Sequence, residues 1–326
     1  MGMSVTERAG AVGRRRLRSA LADVVDRPWY AEVFCAGTRG RLPPGYPHLG
    51  VLADAGVVDA EGRALQRVNR IGALVFVTDG CWRPDGMFAF TDESELLLGY
   101  CRTRGAGPQG SVVDLASGCG HTALAFPGAP ARTALDVDAR AVEFVRLNAW
   151  INDREVEAAT NDIRDGLPER LRARDHGRTL FVANMPFGVS PHAGALDLTR
   201  DGGDTGIRLS SAVLEAVRPL IGSGARLVML SYSLGSAVDG RWQLLRRARE
   251  TLPGTEQTWT LTAGPIWRVD HRKEQPNPMP LRSLRLKADG TAAERERLGA
   301  AYDRLADQLR DQGWDHLGCG ILDVRL

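Results

Sequence analysis

Ser111-Val112-Val113-Asp114-Leu115-Ala116-Ser117-Gly118-Cys119-Gly120 is the stretch that decides the fold. A largely apolar run of strand length, 111–116, passes straight into a glycine-rich turn. A strand buried on both faces reads as such a run. Glycines at its end let the backbone turn sharply and approach a ligand closely. Downstream the same alternation repeats. RTALDV (132–137) reads as a second strand. ARAVEFVRLNAWIN (139–152) reads as a helix, with apolar Ala141, Val142, Phe144, Val145, Leu147 and Trp150. RTLFVAN (178–184) is another buried strand. GIRLSSAVLEAVRPLI (206–221) is an amphipathic helix, closed by Gly222-Ser223-Gly224 before the strand ARLVMLSYS (225–233). Strand and helix in turn predict an α/β fold with a doubly wound, mostly parallel Rossmann-like sheet and helices on both faces. Ligands in such sheets bind at the carboxyl ends of the strands.

Acids fall at those ends. Asp114 lies four residues before Gly118, the first glycine of its turn. Gly118-x-Gly120-x-x-Ala123 also satisfies a dinucleotide fingerprint, but a carboxylate there repels a pyrophosphate and attracts an ammonium or sulfonium. Asp136, sixteen residues past Gly120, is placed to accept the hydroxyls of an adenosine ribose. Asn161-Asp162 follows a third short run, where an acceptor can meet an adenine amino group. Each acid alone also reads as a helix N-cap; the set at successive strand ends favours a ligand. The strand 178–184 ends in Asn184-Met185-Pro186-Phe187-Gly188.

Taken in order, VVDLASGCG, ALDVDARAV, NAWIN, NDI and NMPF resemble the class I S-adenosylmethionine-dependent methyltransferases. They are most similar to the small-domain branch with an N-P-P-[YF] motif, which includes N-methyltransferases. The resemblance spans roughly Phe88 to Ser233. It implies that Asp114, Ala116, Gly118 and Gly120 lie along the methionine end of the cofactor, S-adenosylmethionine. It also implies that Asp136 holds the ribose, that Asp162 meets the adenine, and that Asn184 to Phe187 face the accepting atom. In that motif the Asn184 side-chain oxygen and the carbonyl of residue 185 accept two N–H bonds of a planar nitrogen. Phe187 stacks on its plane, and catalysis is chiefly orientation. Met185 departs from the family, which has proline there. Pro186 still biases residue 185 towards extended backbone, while the loop loses rigidity and a flexible thioether enters it.

The first hundred residues are irregular. A helical stretch from about Ser4 to Val25 precedes a turn-rich RGRLPPGYP. A short helix with Leu49, Val51 and Leu52 then ends at Gly56 before two β-prone runs. That order is winged-helix-like, and it is read as a domain of residues 1–87 ahead of a catalytic domain of 88–326. A piece of this kind serves as a DNA reader, as a substrate lid, or as the contact of a homodimer. Arg14 to Arg18 read most simply as a solvated helix face. Candidates around the site are Trp82 to Ser94, Tyr232 at a strand end, and Trp267-Arg268-Val269-Asp270-His271-Arg272. His121 reads as packing at a helix start. The tail carries an amphipathic helix to about Gln312.

Composition narrows the class. In 326 residues, 42 basic against 40 acidic side chains leave +2, so no chain-wide basic excess points to nucleic acid. No apolar run reaches the ~20 residues of a membrane span. The five cysteines include no CxxC pair, which argues against a disulfide framework or zinc, and no metal is expected. The charged first residues read as cytoplasmic. The leading expectation is methyl transfer to nitrogen on a small molecule or a side chain, with a mild preference for tailoring of a small metabolite. The alternative keeps the fold and changes the reaction. The cofactor's own amino group displaces at its γ-carbon, as in azetidine-2-carboxylate synthases, and methylthioadenosine is released. In that case Asn184 grips the cofactor's amine and Tyr232 lies against the sulfonium. A non-catalytic regulator or an NAD-dependent oxidoreductase would leave the strand-end acids and NMPF unexplained.

Overall fold

The computed structural model describes residues 5–35, 40–79, 92–104, 110–126, 128–192, 201–236, 238–262, 266–269 and 291–326. The chain forms two compact units, residues 1–98 with 107–161, and residues 99–106 with 162–326. The boundary expected between residues 87 and 88 lies outside the described residues.

In the first unit the helical stretch is broken into α1 (Val5–Val12) and α2 (Arg14–Val25). Gly13 between them takes φ 87°, a left-handed backbone that glycine enters without a Cβ clash. Leu17, Ala20, Leu21 and Val24 form the buried stripe of α2 at helical spacing, and Arg14, Arg15, Arg16 and Arg18 are exposed. After α3 (Leu49–Asp54) and Gly56 comes an antiparallel hairpin, β1 (Gln66–Ile71) and β2 (Leu74–Asp79), with Val68 opposite Val77. Helix α4 is Asp92–Thr103. Then β3 (Ser111–Asp114), α5 (His121–Leu124), β4 (Ala131–Asp136), α6 (Ala139–Ile151) and β5 (Glu157–Thr160) alternate as expected. Strand β4 pairs in parallel with β3 on one side and β5 on the other, so the three carboxyl ends share one edge.

Helix α6 explains why its apolar positions form no single stripe: it is buried on two sides. Ala141, Phe144, Leu147 and Ile151 join a core with Leu17, Leu21, Val24, Leu52, Val68 and Val77. Val145 packs instead with Ala123 and Ala134. Each large apolar side chain so buried contributes roughly 1.5–3 kcal/mol. The N-terminal helices and hairpin therefore share their core with the helix that follows β4.

The second unit holds α7 (Glu169–Arg172), β6 (Leu180–Asn184), α8 (Arg208–Val217), β7 (Arg226–Gly235), α9 (Gln243–Thr251), β8 (Glu256–Leu261), β9 (Trp267–Arg268), α10 (Ala292–Asp311) and β10 (His316–Arg325). Helix α8 stops short of the expected end. It tightens into a 3₁₀ turn at Arg218–Leu220, where Pro219 cannot continue the helical ladder. A capping box between Thr291 and Glu294 starts α10. Strands β6 and β7 are parallel, with Asn184 opposite Leu230. Strand β10 is antiparallel to β7 and β8 and lies between them. The sequence pattern had assigned no strand there. Arg226 clasps Asp323 through two hydrogen bonds of 2.8 and 2.6 Å, and the Tyr100 hydroxyl donates to the same carboxylate at 2.9 Å. The architecture is the α/β class expected, mostly parallel, with an antiparallel strand near one edge. Among the described residues no helix is long and apolar enough to cross a membrane.

Candidate functional site

In the first unit the predicted residues converge on the turn after β3. The Ser117 N–H donates to the Leu135 carbonyl at 3.0 Å, and the Gly118 N–H donates to Asp136 Oδ2 at 2.8 Å. Asp136 Oδ1 accepts the Asp138 N–H at 3.0 Å. Thus Asp136 pins the glycine turn to the end of β4, and each oxygen keeps a lone pair for a ligand hydroxyl. Burial raises its pKa, opposed by those backbone N–H groups. Asp138 accepts the Arg140 N–H at 2.8 Å and caps α6. Gly120 sits at φ +82°, and a Cβ there would meet Val145 at 3.1 Å, so this glycine is required by the packing of the turn on α6.

Asp114 ends β3 and is 2% exposed. Its Oδ2 and, three residues on, Ser117 Oγ are buried without a hydrogen-bond partner among the described residues. Burial pushes the Asp114 carboxyl up to about 7, against the backbone N–H groups of Ala116 and Ala123. Ala116 thus acts through its main chain. Two neighbours are held uncharged. Burial takes the Cys119 thiol up to about 12 and His121 down to about 4, so near neutral pH one is a protonated thiol and the other a neutral ring. His121 Nδ1 lies 3.2 Å from Cys119 Sγ at the start of α5, the packing role read for it.

A pH dependence follows from Asp114. In the ligand-free chain its folded pKa is raised, so its contribution to stability falls as pH climbs from the ordinary carboxylate range to about 7. A cation at Oδ2 favours the charged form. Affinity for a cationic ligand is therefore expected to rise roughly tenfold per pH unit below about 7 and to level off above it. Calorimetric titration between pH 5.5 and 8.5 checks this. A profile unchanged in Asp114→Asn would contradict it.

In the second unit, Asp162 accepts the Arg164 N–H and caps a 3₁₀ turn. Its carboxylate also receives the Arg164 guanidinium, and that hydrogen bond holds its pKa below the usual range. Asn184 ends β6, half-buried, and Met185 after it is buried. The Phe187 ring stacks on Tyr232 with centroids 4.1 Å apart and planes at 26°. The structure thus brings together two of the residues singled out, Phe187 from the loop after β6 and Tyr232, which lies inside β7 rather than at the strand end expected. Trp82 to Thr91 and Asp270 to Arg272, His271 included, lie outside the described residues. Trp267 belongs to β9, opposite Leu317.

One supporting segment escaped the sequence reading. Asp201-Gly202-Gly203-Asp204-Thr205-Gly206 lies along the NMPF loop: Gly202 N–H donates to Gly188 O, and Ser190 N–H to Gly203 O, both at 2.8 Å. A Cβ on Gly202 would fall 2.8 Å from Phe187 Cα, and one on Gly206 2.7 Å from the Phe187 carbonyl oxygen. Asp201 accepts the Gly203 N–H at 2.9 Å and pairs with Arg208 at 3.3 Å. The glycines let this segment press against Phe187 and take over some of the restraint that a proline at 185 would give. The signal in sequence was the density of glycine and aspartate.

No protein-family model matches the chain, and no curated protein matches it. Among solved structures it is similar to the T. thermophilus 16S rRNA N2 G1207 methyltransferase in complex with AdoMet and guanosine. That likeness has 19% identity over 59% of this chain and 46% of that one, with a TM-score of 0.42. It is also similar to the M. jannaschii tRNA m1G37 methyltransferase, at 11% identity over 80% and 55%, with a TM-score of 0.43. A third is the geranyl diphosphate C-methyltransferase of Streptomyces coelicolor, at 14% identity over 72% and 76%, with a TM-score of 0.39. The chain spans about half the length of the first two. Likeness of this degree carries no activity across.

Proposed function

We propose that the chain is an S-adenosylmethionine-dependent N-methyltransferase. Its acceptor is the nitrogen of a small molecule or a single side chain. The observation that carries this reading is the buried Asp114 carboxyl group, whose Oδ2 has no hydrogen-bond partner among the described residues, three residues before the Ser117 hydroxyl, which is likewise buried and unpartnered among them. A buried anion with a free oxygen suits a cationic ligand bearing N–H donors and opposes a pyrophosphate. Asp136, with spare acceptor capacity at the next strand end, suits a ribose diol.

When bound, S-adenosylmethionine supplies an electrophilic methyl group on a sulfonium. The protein's share is position. Asp114 and the 117–120 turn hold the amino-acid end, and Asp136 holds the ribose. The Asn184 oxygen and the Met185 carbonyl accept the N–H bonds of the acceptor, and Phe187, backed by Tyr232, offers a flat face. The accepting nitrogen loses its proton after the new bond forms, so no strong base is required. Asp162 contributes to the adenine end through whatever acceptor capacity its pairing with Arg164 leaves. Residues 1–87 act as a cap domain.

Incubation of the full chain with S-adenosylmethionine and candidate amines, with mass spectrometry of the nucleoside product, tests this. S-adenosylhomocysteine formed only when an amine is present is the expected result. Methylthioadenosine formed from the cofactor alone would replace methyl transfer by intramolecular cyclisation.

A further inference from the structure

Helix α6 carries a row of polar residues that the proposed chemistry leaves unused. Arg140, Asn148 and Asn152 are spaced by eight and four residues, so they lie along one stripe of the helix. They engage alternate residues of β2 in reverse order. Asn152 Oδ1 accepts the Val75 N–H at 2.9 Å, and its Nδ2 donates to the Val75 carbonyl at 2.7 Å. Asn148 Oδ1 accepts the Val77 N–H at 2.8 Å, and its Nδ2 donates to the Val77 carbonyl at 2.9 Å. Arg140 pairs with the buried Asp79. The two carboxamides, 0% and 3% exposed, serve the edge of β2 that faces away from β1, as a third strand would.

Asn148 differs from Asn152 in one contact. Its Nδ2 also donates to the Cys119 carbonyl at 2.9 Å, within the Gly118-Cys119-Gly120 turn. The remaining bond of Asn152 goes to the Asn148 carbonyl within α6. A single side chain therefore holds both the N-terminal hairpin and the turn whose Gly118 N–H donates to Asp136.

We propose that Asn148 is a positioning residue that makes the N-terminal hairpin a working part of the cofactor turn. This rests on the proposed function for the identity of the ligand. By fixing the Val77 backbone and the Cys119 carbonyl together, it sets the path of residues 117–120, and so the direction in which Ser117 presents its hydroxyl and Gly118 its N–H to Asp136. Coupling of this kind is reciprocal: a ligand that orders the turn must also tighten the hairpin.

The test uses the full chain, with Asn152→Ala as the matched control for Asn148→Ala, since both lose the clasp on β2 but only one releases the turn. Amide hydrogen exchange without ligand is expected to speed up about tenfold or more across Gly118 to Gly120 in Asn148→Ala, and to stay within about twofold in Asn152→Ala. S-adenosylmethionine affinity is expected to fall about tenfold in the first and less than about threefold in the second. In the wild-type chain, saturating S-adenosylmethionine is expected to slow exchange at Val75 and Val77 as well as in the turn. This last comparison decides the matter if a variant fails to fold. Turn exchange that is alike in the two variants, or hairpin amides that ignore bound ligand, would overturn the inference. Failure of the wild-type chain to take up S-adenosylmethionine overturns the cofactor assignment instead, and the ligand-free exchange still judges Asn148.

Discussion

Asp136→Ala is expected to lose S-adenosylmethionine binding by at least about 100-fold, the largest single effect at the site. Hydrogen bonds to a charged acceptor are each worth about 1.5–3 kcal/mol, and two ribose hydroxyls would lose theirs together. The sum, about 3–6 kcal/mol, corresponds to roughly 10²–10⁴ in affinity. A second consequence separates this residue from an ordinary surface acid. Asp136 also accepts the Gly118 and Asp138 N–H groups, so its removal unhooks the glycine turn from β4. The ligand-free chain should therefore melt earlier, by roughly 1–2 kcal/mol of lost stability. Asp136→Asn keeps one acceptor oxygen and should fall between the two. Calorimetry with differential scanning measures both quantities. An affinity unchanged within threefold would remove Asp136 from the site.

Asn184→Ala should show the opposite split. Its proposed task is to align the accepting nitrogen, so turnover is expected to fall about 10²–10³-fold, the range seen when one oriented polar group is deleted from an active site. Cofactor affinity should hold within about threefold, because the groups assigned to the cofactor's ribose and amino-acid end are Asp136, Asp114 and the 117–120 turn. Steady-state kinetics paired with calorimetry reads the split. Loss of binding with turnover per bound cofactor unchanged would assign Asn184 to the cofactor rather than to the acceptor.

Much of this organisation was legible in the sequence because it is written in short-range signals. The apolar runs ending at Asp114, Asp136 and Asn184 marked strands, each of which ends at the polar residue expected. Gly56 followed by two β-prone runs marked a helix stop and a hairpin. The stack of Phe187 on Tyr232 was not legible: the strand expected to end at Ser233 runs on to Gly235, so Tyr232 lies inside β7 rather than at its end.

What escaped depends on partners far away in the chain. Asn148 and Asn152 bound the NAWIN stretch that carries part of the resemblance, but their task is not readable until β2, more than seventy residues earlier, lies along them. Asp201 to Gly206 reads as a loop, because close approach to Phe187 is a property of the folded backbone and not of the hexapeptide. Strand β10 was hidden by Gly318 and Gly320, which weaken a strand pattern. A Cβ at either position would strike Trp242 or Trp259, so the glycines make room for those rings. At Asp162 two signals coincided. The residue caps a turn and pairs with Arg164, as an N-cap reading allows, at the position where the motif order expects an adenine contact.

Isothermal titration of the full chain with S-adenosylmethionine, set beside Asp136→Ala and a dinucleotide, tests the central claim most directly. One S-adenosylmethionine bound per wild-type chain, lost in Asp136→Ala, with no uptake of dinucleotide, is the predicted result. Dinucleotide uptake with no heat from S-adenosylmethionine would contradict it and reassign the turn after β3.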